Sequence, residues 1–500
     1  HSQFAKQISS SVELFSYACL IIIGGLLYSL SGYWKSVFLS LKLPGPPTVP
    51  ILGNCLLIKE RDILTNQATT AFSLYGSLIR LWVIIFPFFV VLEPQDLQSI
   101  LSSKKHTEKV FFYRLMHNFL GNGLITSSGE RWDIHRKLIQ PSFHIHILEK
   151  FIGTFADASQ AFYEKMDPTQ KEINIAHFVN NCVIDVLNEA VLGFPVNRKE
   201  GVNMEGSPFR LGKVVAPYRV IHPWLLVDAI YRLTKTASEE LIQKKRLNEF
   251  TRRMIHRRRD LKANGEDMGR KCLLDYMIEI SENNPSFTEE DIINEACTFM
   301  LAGQDSVGAA TAFCFFLLAQ HPEIQKRCTD EIDGIFGDDN RAPTMNDLRD
   351  MRYLEMCVKE TLRLYPSVPV IARKISEDIR VGKHTLPAGC NVFIVPYSTH
   401  RLPHIYPDPE KFDPERFSPQ NCEKRHPYAY IPFSAGARNC IGHRFAILEM
   451  KTIISRLLRS YELLPVPNKT TFEVVFRITL RASGGLWIQL RPRRDLPKTV

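Results

Sequence analysis

Phe433-Ser434-Ala435-Gly436-Ala437-Arg438-Asn439-Cys440-Ile441-Gly442 sets two glycines and two alanines around a single cysteine, and the apolar stretch Phe445-Ala446-Ile447-Leu448-Glu449-Met450 follows at once. Small residues let a backbone approach a large flat object closely. A cysteine at the start of a helix lies at the positive end of the helix dipole, which favours thiolate over thiol. Taken alone, a cysteine before a helix is more often a small buried apolar residue. The residues fixed around Cys440, and motifs far from it, decide against that reading here.

A thiolate held open under a flat cofactor is what a haem iron needs as its proximal ligand. The order of residues resembles the haem-ligand loop of the cytochrome P-450 family of haem-thiolate monooxygenases, Phe-x-x-Gly-x-Arg-x-Cys-x-Gly. Phe433, Gly436, Arg438, Cys440 and Gly442 fill its fixed positions. The resemblance implies a mainly α fold with a minor β region, and haem b (iron protoporphyrin IX) with Cys440 as the metal ligand.

Composition bounds the alternatives. The 500 residues are 45% hydrophobic, enough for large cores. The 11 cysteines show no regular pairing, and Cys-x-x-Cys and His-Glu-x-x-His are absent, so neither a disulfide framework nor a zinc site is indicated. The net charge of +9 is spread widely. The densest run, Arg252 to Arg259, lacks interleaved aromatic residues, so nucleic acid is not an expected partner. Acidic partners, such as an electron-donating protein or anionic lipid heads, fit better.

From Leu14 to Trp34 no residue is charged. As a helix this length spans about 31 Å, close to a bilayer core of roughly 30 Å. Lys35 and Lys42 on the carboxyl side keep the bulk of the chain cytoplasmic. Leu43-Pro44-Gly45-Pro46-Pro47-Thr48-Val49-Pro50 then forms a stiff extended spacer. The expected organisation is a membrane anchor over residues 1–35, a proline-rich hinge over 36–50 and a catalytic domain over 51–500. Strands are expected at Ser77–Trp82 and Phe88–Leu92, with Pro87 near their turn. Thr288 and Asp291 resemble a capping box opening a long central helix that ends before His321-Pro322. Near the end, Ser483-Gly484-Gly485 reads as the turn of a hairpin joining Ile478–Leu480 to Leu486–Leu490.

Glu360 and Arg363 share one helix face and can pair. With Arg416 of Asp413-Pro414-Glu415-Arg416-Phe417, the resemblance implies a buried network bracing the cysteine loop. Trp132 and Arg136, one helical turn apart, offer an indole N–H and a guanidinium to a haem propionate. In the family, arginines matching Arg373 and Arg438 also contact the haem.

The oxygen side is expected at Ala302-Gly303-Gln304-Asp305-Ser306, where the family carries Ala/Gly-Gly-x-Asp/Glu-Thr. Splitting dioxygen requires protons delivered in a dry pocket, and Asp305 with Ser306 could relay them. Gly303 is expected to let the helix open locally. The run Glu295 to Asp305 resembles the signature of the fourth cytochrome P-450 family, fatty-acid and alkane end-hydroxylases. That signature has glutamate at Ala302, where it can form an ester with a haem methyl. Alanine cannot, so the haem is expected to be non-covalent.

With no Gly-x-Gly-x-x-Gly opening a helix after a strand, electrons must arrive from another protein. The resemblance implies an NADPH-dependent flavoprotein reductase, with cytochrome b5 as a second donor, at the endoplasmic reticulum membrane. The expected reaction inserts one oxygen atom from O2 into a lipophile: a fatty acid or related lipid, a terpenoid hormone or a xenobiotic. Two rivals are an oxygen-independent isomerase of lipid peroxides, disfavoured by Asp305 and Ser306, and a non-catalytic haem sensor or lipid-binding protein.

Overall fold

Thr288 opens the helix that organises the molecule. In the computed structural model, which describes residues 31–55, 68–194, 215, 218–220, 222–266, 269–476 and 478–493, Thr288 Oγ1 accepts from Asp291 N–H at 3.3 Å. Asp291 returns the bond by accepting from Thr288 N–H at 2.8 Å. The helix runs Glu289–Gln320 and is buried on nearly every side, as its apolar sequence requires. His321 ends it, and Pro322 starts the next helix, where its missing N–H costs nothing.

In chain order the main helices are α1 Pro94–Leu101, α2 Gly129–Ile139, α3 Ile152–Glu164, α4 Ile175–Leu192, α5 Lys235–Asn264, α6 Leu273–Asn283, α7 Glu289–Gln320, α8 Pro322–Phe336, α9 Arg352–Leu364 and α10 His443–Leu458. Helix α7 packs along α4, with α9 and α10 also against it. Phe445 of α10 meets Phe151 and Phe155 edge-on at 5.7 and 4.8 Å, which seats the helix that follows the cysteine loop.

The strands form small sheets. β1 (Leu78–Val83) and β2 (Phe86–Val91) are antiparallel, β2 runs parallel to β7 (Asn391–Ile394), and β4 (Ile371–Lys374) closes that sheet. Pro87 lies inside β2 opposite Trp82, but pairing with β7 begins only at Phe88, so its missing N–H interrupts no bond there. β5 (Ile379–Val381) pairs with β6 (His384–Leu386). β3 (Ile173–Asn174) and β8 (Tyr461–Pro465) flank β11 (Trp487–Pro492), and β9 (Glu473–Phe476) pairs with β10 (Leu480–Ser483).

The hairpin expected at Ser483-Gly484-Gly485 does not form. β10 folds back on β9, while β11 leaves for the other sheet. Gly484 and Gly485 take positive φ of 80° and 91° at this crossing, and a Cβ on Gly485 would stand 2.6 Å from Asn174 Nδ2. Two glycines signal a tight reversal but not which strand is reversed onto.

The span expected from Leu14 falls almost wholly outside the described residues. Residues 31–42 are helical, and irregular chain begins at Leu43. Among the described residues, Ile175–Leu192 and Glu289–Gln320 are long and apolar enough to cross a membrane, but both lie in the core.

Candidate active site

Cys440 Sγ is carried by a loop fixed at both ends. Cys440 N–H donates to Phe433 O at 2.8 Å, and Gly442 caps α10. Gly436 has a φ of 71°, and a Cβ there would stand 1.7 Å from Leu101 O at the end of α1, so only glycine lets the loop seat. Arg136 of α2 donates to Asn439 O at 2.9 Å and to Asn439 Oδ1 at 2.7 Å, clamping the residue before the cysteine. The thiol departs from the expectation drawn from the helix dipole. Burial pushes it up, and the Gly442 N–H and the Arg136 charge only partly oppose this.

Glu360 and Arg363 of α9 are fully buried and pair at 2.7 and 2.8 Å. Arg416 Nε lies 3.5 Å from the same carboxylate, and Asp413 N–H donates to it at 2.9 Å. Arg363 also donates to His400 O at 3.0 Å, and His400 Nε2 accepts from Ile431 N–H at 2.9 Å, two residues before Phe433. The network thus reaches the cysteine loop through His400.

A cavity of about 660 Å³ lies between α7 and this loop. Cys440, Phe433, Arg438, Gly442, Trp132, Arg136, Ala302, Asp305 and Ser306 all line it. Arg373 does not. It is 2% exposed and donates to its own neighbour's carbonyl, Ala372 O, at 2.9 Å. Arg438 sits over the Trp132 ring at 3.9 Å and donates to the carbonyls of Thr107, Leu124 and Ser127. Its guanidinium is pushed down to about 9 by burial and by the Arg373 charge. Lys109, absent from the sequence reading because nothing in its surroundings marks it, is lowered strongly by burial and by both arginines.

Among the described residues, no carboxylate forms an ion pair with Lys109, Arg373 or Arg438. Three neighbouring cations, one buried and two at the cavity wall, repel one another without a counter-charge. A flat cofactor bearing two carboxylates beside Cys440 would compensate them, so these residues fit haem.

On the opposite wall, Ala302 is open to the cavity and presents no carboxylate. Ser306 Oγ donates to Ala302 O at 2.7 Å. The helix is continuous through Gly303, so the local opening expected there is not seen. Its missing side chain instead admits α4: a Cβ would stand 2.6 Å from Leu187 Cδ2. Asp305 is 3% exposed and ion-paired to Arg481 of β10, and it accepts from Thr479 Oγ1 at 3.2 Å. Neither partner was legible, since both arrive from the misread carboxyl-terminal strands.

Comparison with known proteins agrees with this geometry. The family profile described as Cytochrome P450 matches residues 43–483. "Probable cytochrome P450 4aa1" of Drosophila melanogaster is 64% identical over 494 residues, 97% of each chain. "Cytochrome P450 4c3" of the same species is 35% identical, covering 98% of this chain and 97% of that protein. Human "Cytochrome P450 4V2" is 34% identical, covering 89% of this chain and 90% of that protein. With its cysteine loop, buried cations and apolar cavity, the chain belongs to family 4 of the cytochromes P450 and is a haem-thiolate monooxygenase.

Proposed function

We propose that this monooxygenase oxidises a largely apolar lipophile at a membrane surface, with fatty acids and related lipids foremost and terpenoid hormones and xenobiotics next. The cavity carries the reading: its walls are overwhelmingly apolar, from Ile79, Leu81, Val90, Phe112, Phe299 and Phe393 among others. Among the described residues its lining cations are Lys109, Arg136 and Arg438, close to the cysteine loop.

Cys440 would hold the haem iron, and Arg438, Lys109, Trp132 and Arg136 would serve its propionates, with Arg373 adding positive charge from behind the wall. When bound, the haem supplies oxygen activation, using two electrons from a flavoprotein reductase. The apolar wall excludes water, and Ser306 holds a hydroxyl proton at the cavity edge. Asp305 fixes α7 to β10 through Arg481, so a relay through Asp305 requires that ion pair to loosen. Exposed Arg444 and Lys137 lie in the two helices that bear on the cysteine loop and suit an acidic electron donor.

A location at the endoplasmic reticulum membrane is supported by clustered exposed apolar side chains. Trp34, Phe38, Ile85 and Phe86 are exposed; Tyr33 donates to Ile85 O at 3.1 Å, and its ring lies 5.4 Å from that of Trp34 and 6.4 Å from that of Phe86. Trp224, Val227 and Ile230 are also exposed, and neighbouring Val220 and Leu226 share a small core with Ile84. Titrating lipophiles while following the ferric spin state, then measuring oxygenated product with reductase, tests the function. Failure of every apolar lipid to shift the spin state would reject the substrate class.

A further inference from the structure

One buried titratable chain remains unused by the site described above. Arg131 of α2 pairs with Asp291 at the start of α7. Asp291 Oδ1 lies 3.7 Å from His135 Nε2, and His135 Nδ1 lies 2.7 Å from Glu295 Oε1. His135 is 3% exposed and Glu295 is wholly buried. Glu295 Oε2 accepts from Leu124 N–H at 3.0 Å. One turn further along α7, Thr298 lines the cavity, and its hydroxyl is buried with no hydrogen-bond partner among the described residues. Glu295 Oε2 and Thr298 Oγ1 converge over Gly123, 3.1 and 2.4 Å from where a Cβ would stand.

The two acids beside His135 differ in strength. Burial works to raise Asp291, but the Thr288 N–H and hydroxyl and the Arg131 charge prevail and lower it. Burial raises Glu295, and the His135 contact, the Leu124 N–H and Arg131 do not reverse this. Unlike acids on one imidazole give a proton a direction of travel. Phe287 covers the ring edge-on at 5.0 Å. The charged groups facing the pair are Asp291 and Arg131.

We propose that Asp291, His135, Glu295 and Thr298 form a second proton route, which enters the cavity one helical turn before Ala302 and is separate from Asp305 and Ser306. A proton taken up at His135 Nε2 on the Asp291 side lets the Nδ1 proton pass to the ionised Glu295 Oε1. The protonated carboxyl then turns, giving up its bond from Leu124 N–H, so that the proton stands on the Thr298 side and passes through one water to Thr298 Oγ1, whose own proton passes into the cavity. Glu295 is left ionised as it began, and the imidazole, left protonated at Nε2, regains its Nδ1–H form by losing that proton to water and taking one up at Nδ1. His135 and Glu295 act through Thr298, the group that borders the substrate space.

This route rests on the family's monooxygenase activity and not on which lipid is oxidised. In the resting haem-loaded protein without reductase, infrared spectra should show a carboxyl band that titrates above the ordinary glutamate range and is absent from Glu295→Gln. In turnover, Thr298→Val should lower product formed per NADPH at least about 10-fold and alter the solvent isotope effect. Its haem content and reduced carbon-monoxide spectrum should stay unchanged, and Thr298→Ser should restore both turnover properties. Unchanged coupling and isotope effect in Thr298→Val overturn the proposal, as does survival of the band in Glu295→Gln. If Glu295→Gln fails to load haem, the Thr298 pair decides. If the wild type oxidises none of the lipids, the substrate reading fails, and the infrared comparison with Glu295→Gln, or with Glu295→Asp should Gln not fold, decides the route.

Discussion

Cys440 and Ala302 face one another across the cavity, and each makes a prediction by what its side chain can bond. Cys440→Ser should lose the thiolate-type Soret shift of the reduced carbon-monoxide complex, because a serine oxygen cannot supply the soft ligand. A retained shift would move the ligand elsewhere. Ala302 has no carboxylate to esterify a haem methyl, so acidified organic solvent should strip the haem from the chain. A polypeptide still carrying the haem mass would show that another carboxylate substitutes. Ser306→Ala should lower product per electron consumed more than it weakens substrate binding, by up to about 10²-fold if no other donor compensates. Unchanged coupling would remove Ser306 from proton delivery. These residues were legible because each stands in a short motif whose chemistry is local. Lys109 was not, since its partners Arg373 and Arg438 come from distant segments. Asp305 was placed correctly on the central helix, but its engagement by Arg481 could not be read from a sequence that suggested the wrong strand pairing.

At the scale of elements, α9 is joined to the cysteine loop by buried polar groups instead of apolar packing alone. His400 is the hinge of that connection, accepting from Ile431 N–H while Arg363 lies alongside. Burial, then the Arg363 charge, pushes its imidazole down to about 3. An unfolded histidine titrates near 6.5, so between that value and 3 the unfolded chain binds a proton that the folded chain refuses. Stability should be fully present above about pH 6.5 and fall on acidification by up to about 1.4 kcal/mol per pH unit. Glu360, raised by burial against the Arg363 bond, acts in the opposite sense nearer its own range, so the cleanest window is roughly pH 6.5 to 5. Thermal unfolding across that window should fall more steeply for the wild type than for His400→Gln. Parallel curves would reject the assignment. The capping box, the central helix and the Glu360–Arg363 pair were readable because they depend on spacings within one helix. The β9–β10 and β8–β11 pairings were not, because strand partners are chosen by contacts far apart in sequence.

Across the whole molecule, many of the exposed large apolar side chains lie near residues 31–42, the β1–β2 turn and the segment around Trp224, with others at Val49, Ile51, Leu74, Ile134, Leu241 and Ile242. A chain lacking residues 1–35 should therefore still partition onto phospholipid vesicles, while full-length protein should resist release from microsomes by salt or alkaline carbonate. Phe38, Leu41, Ile85, Phe86 and Trp224 remain in the shortened chain and would enter the headgroup region together. Fully burying one large apolar side chain contributes about 1.5–3 kcal/mol, and partial insertion gives a fraction of that. Replacing Ile85 and Trp224 by serine should thus weaken vesicle binding by about 10-fold or more, leaving haem content and the carbon-monoxide spectrum intact. The two surfaces adjoin the small core containing Val83, Phe88 and Val220, while Val83 and Val220 also line the cavity. Insertion there would place the cavity wall next to the acyl chains, and a lipid substrate could enter without crossing water. Vesicles should then raise the apparent affinity for a long-chain lipid in the shortened wild-type chain, and the Ile85→Ser, Trp224→Ser double variant should lose that gain. If the double variant binds vesicles as tightly as its parent, the apolar surface does not face the membrane.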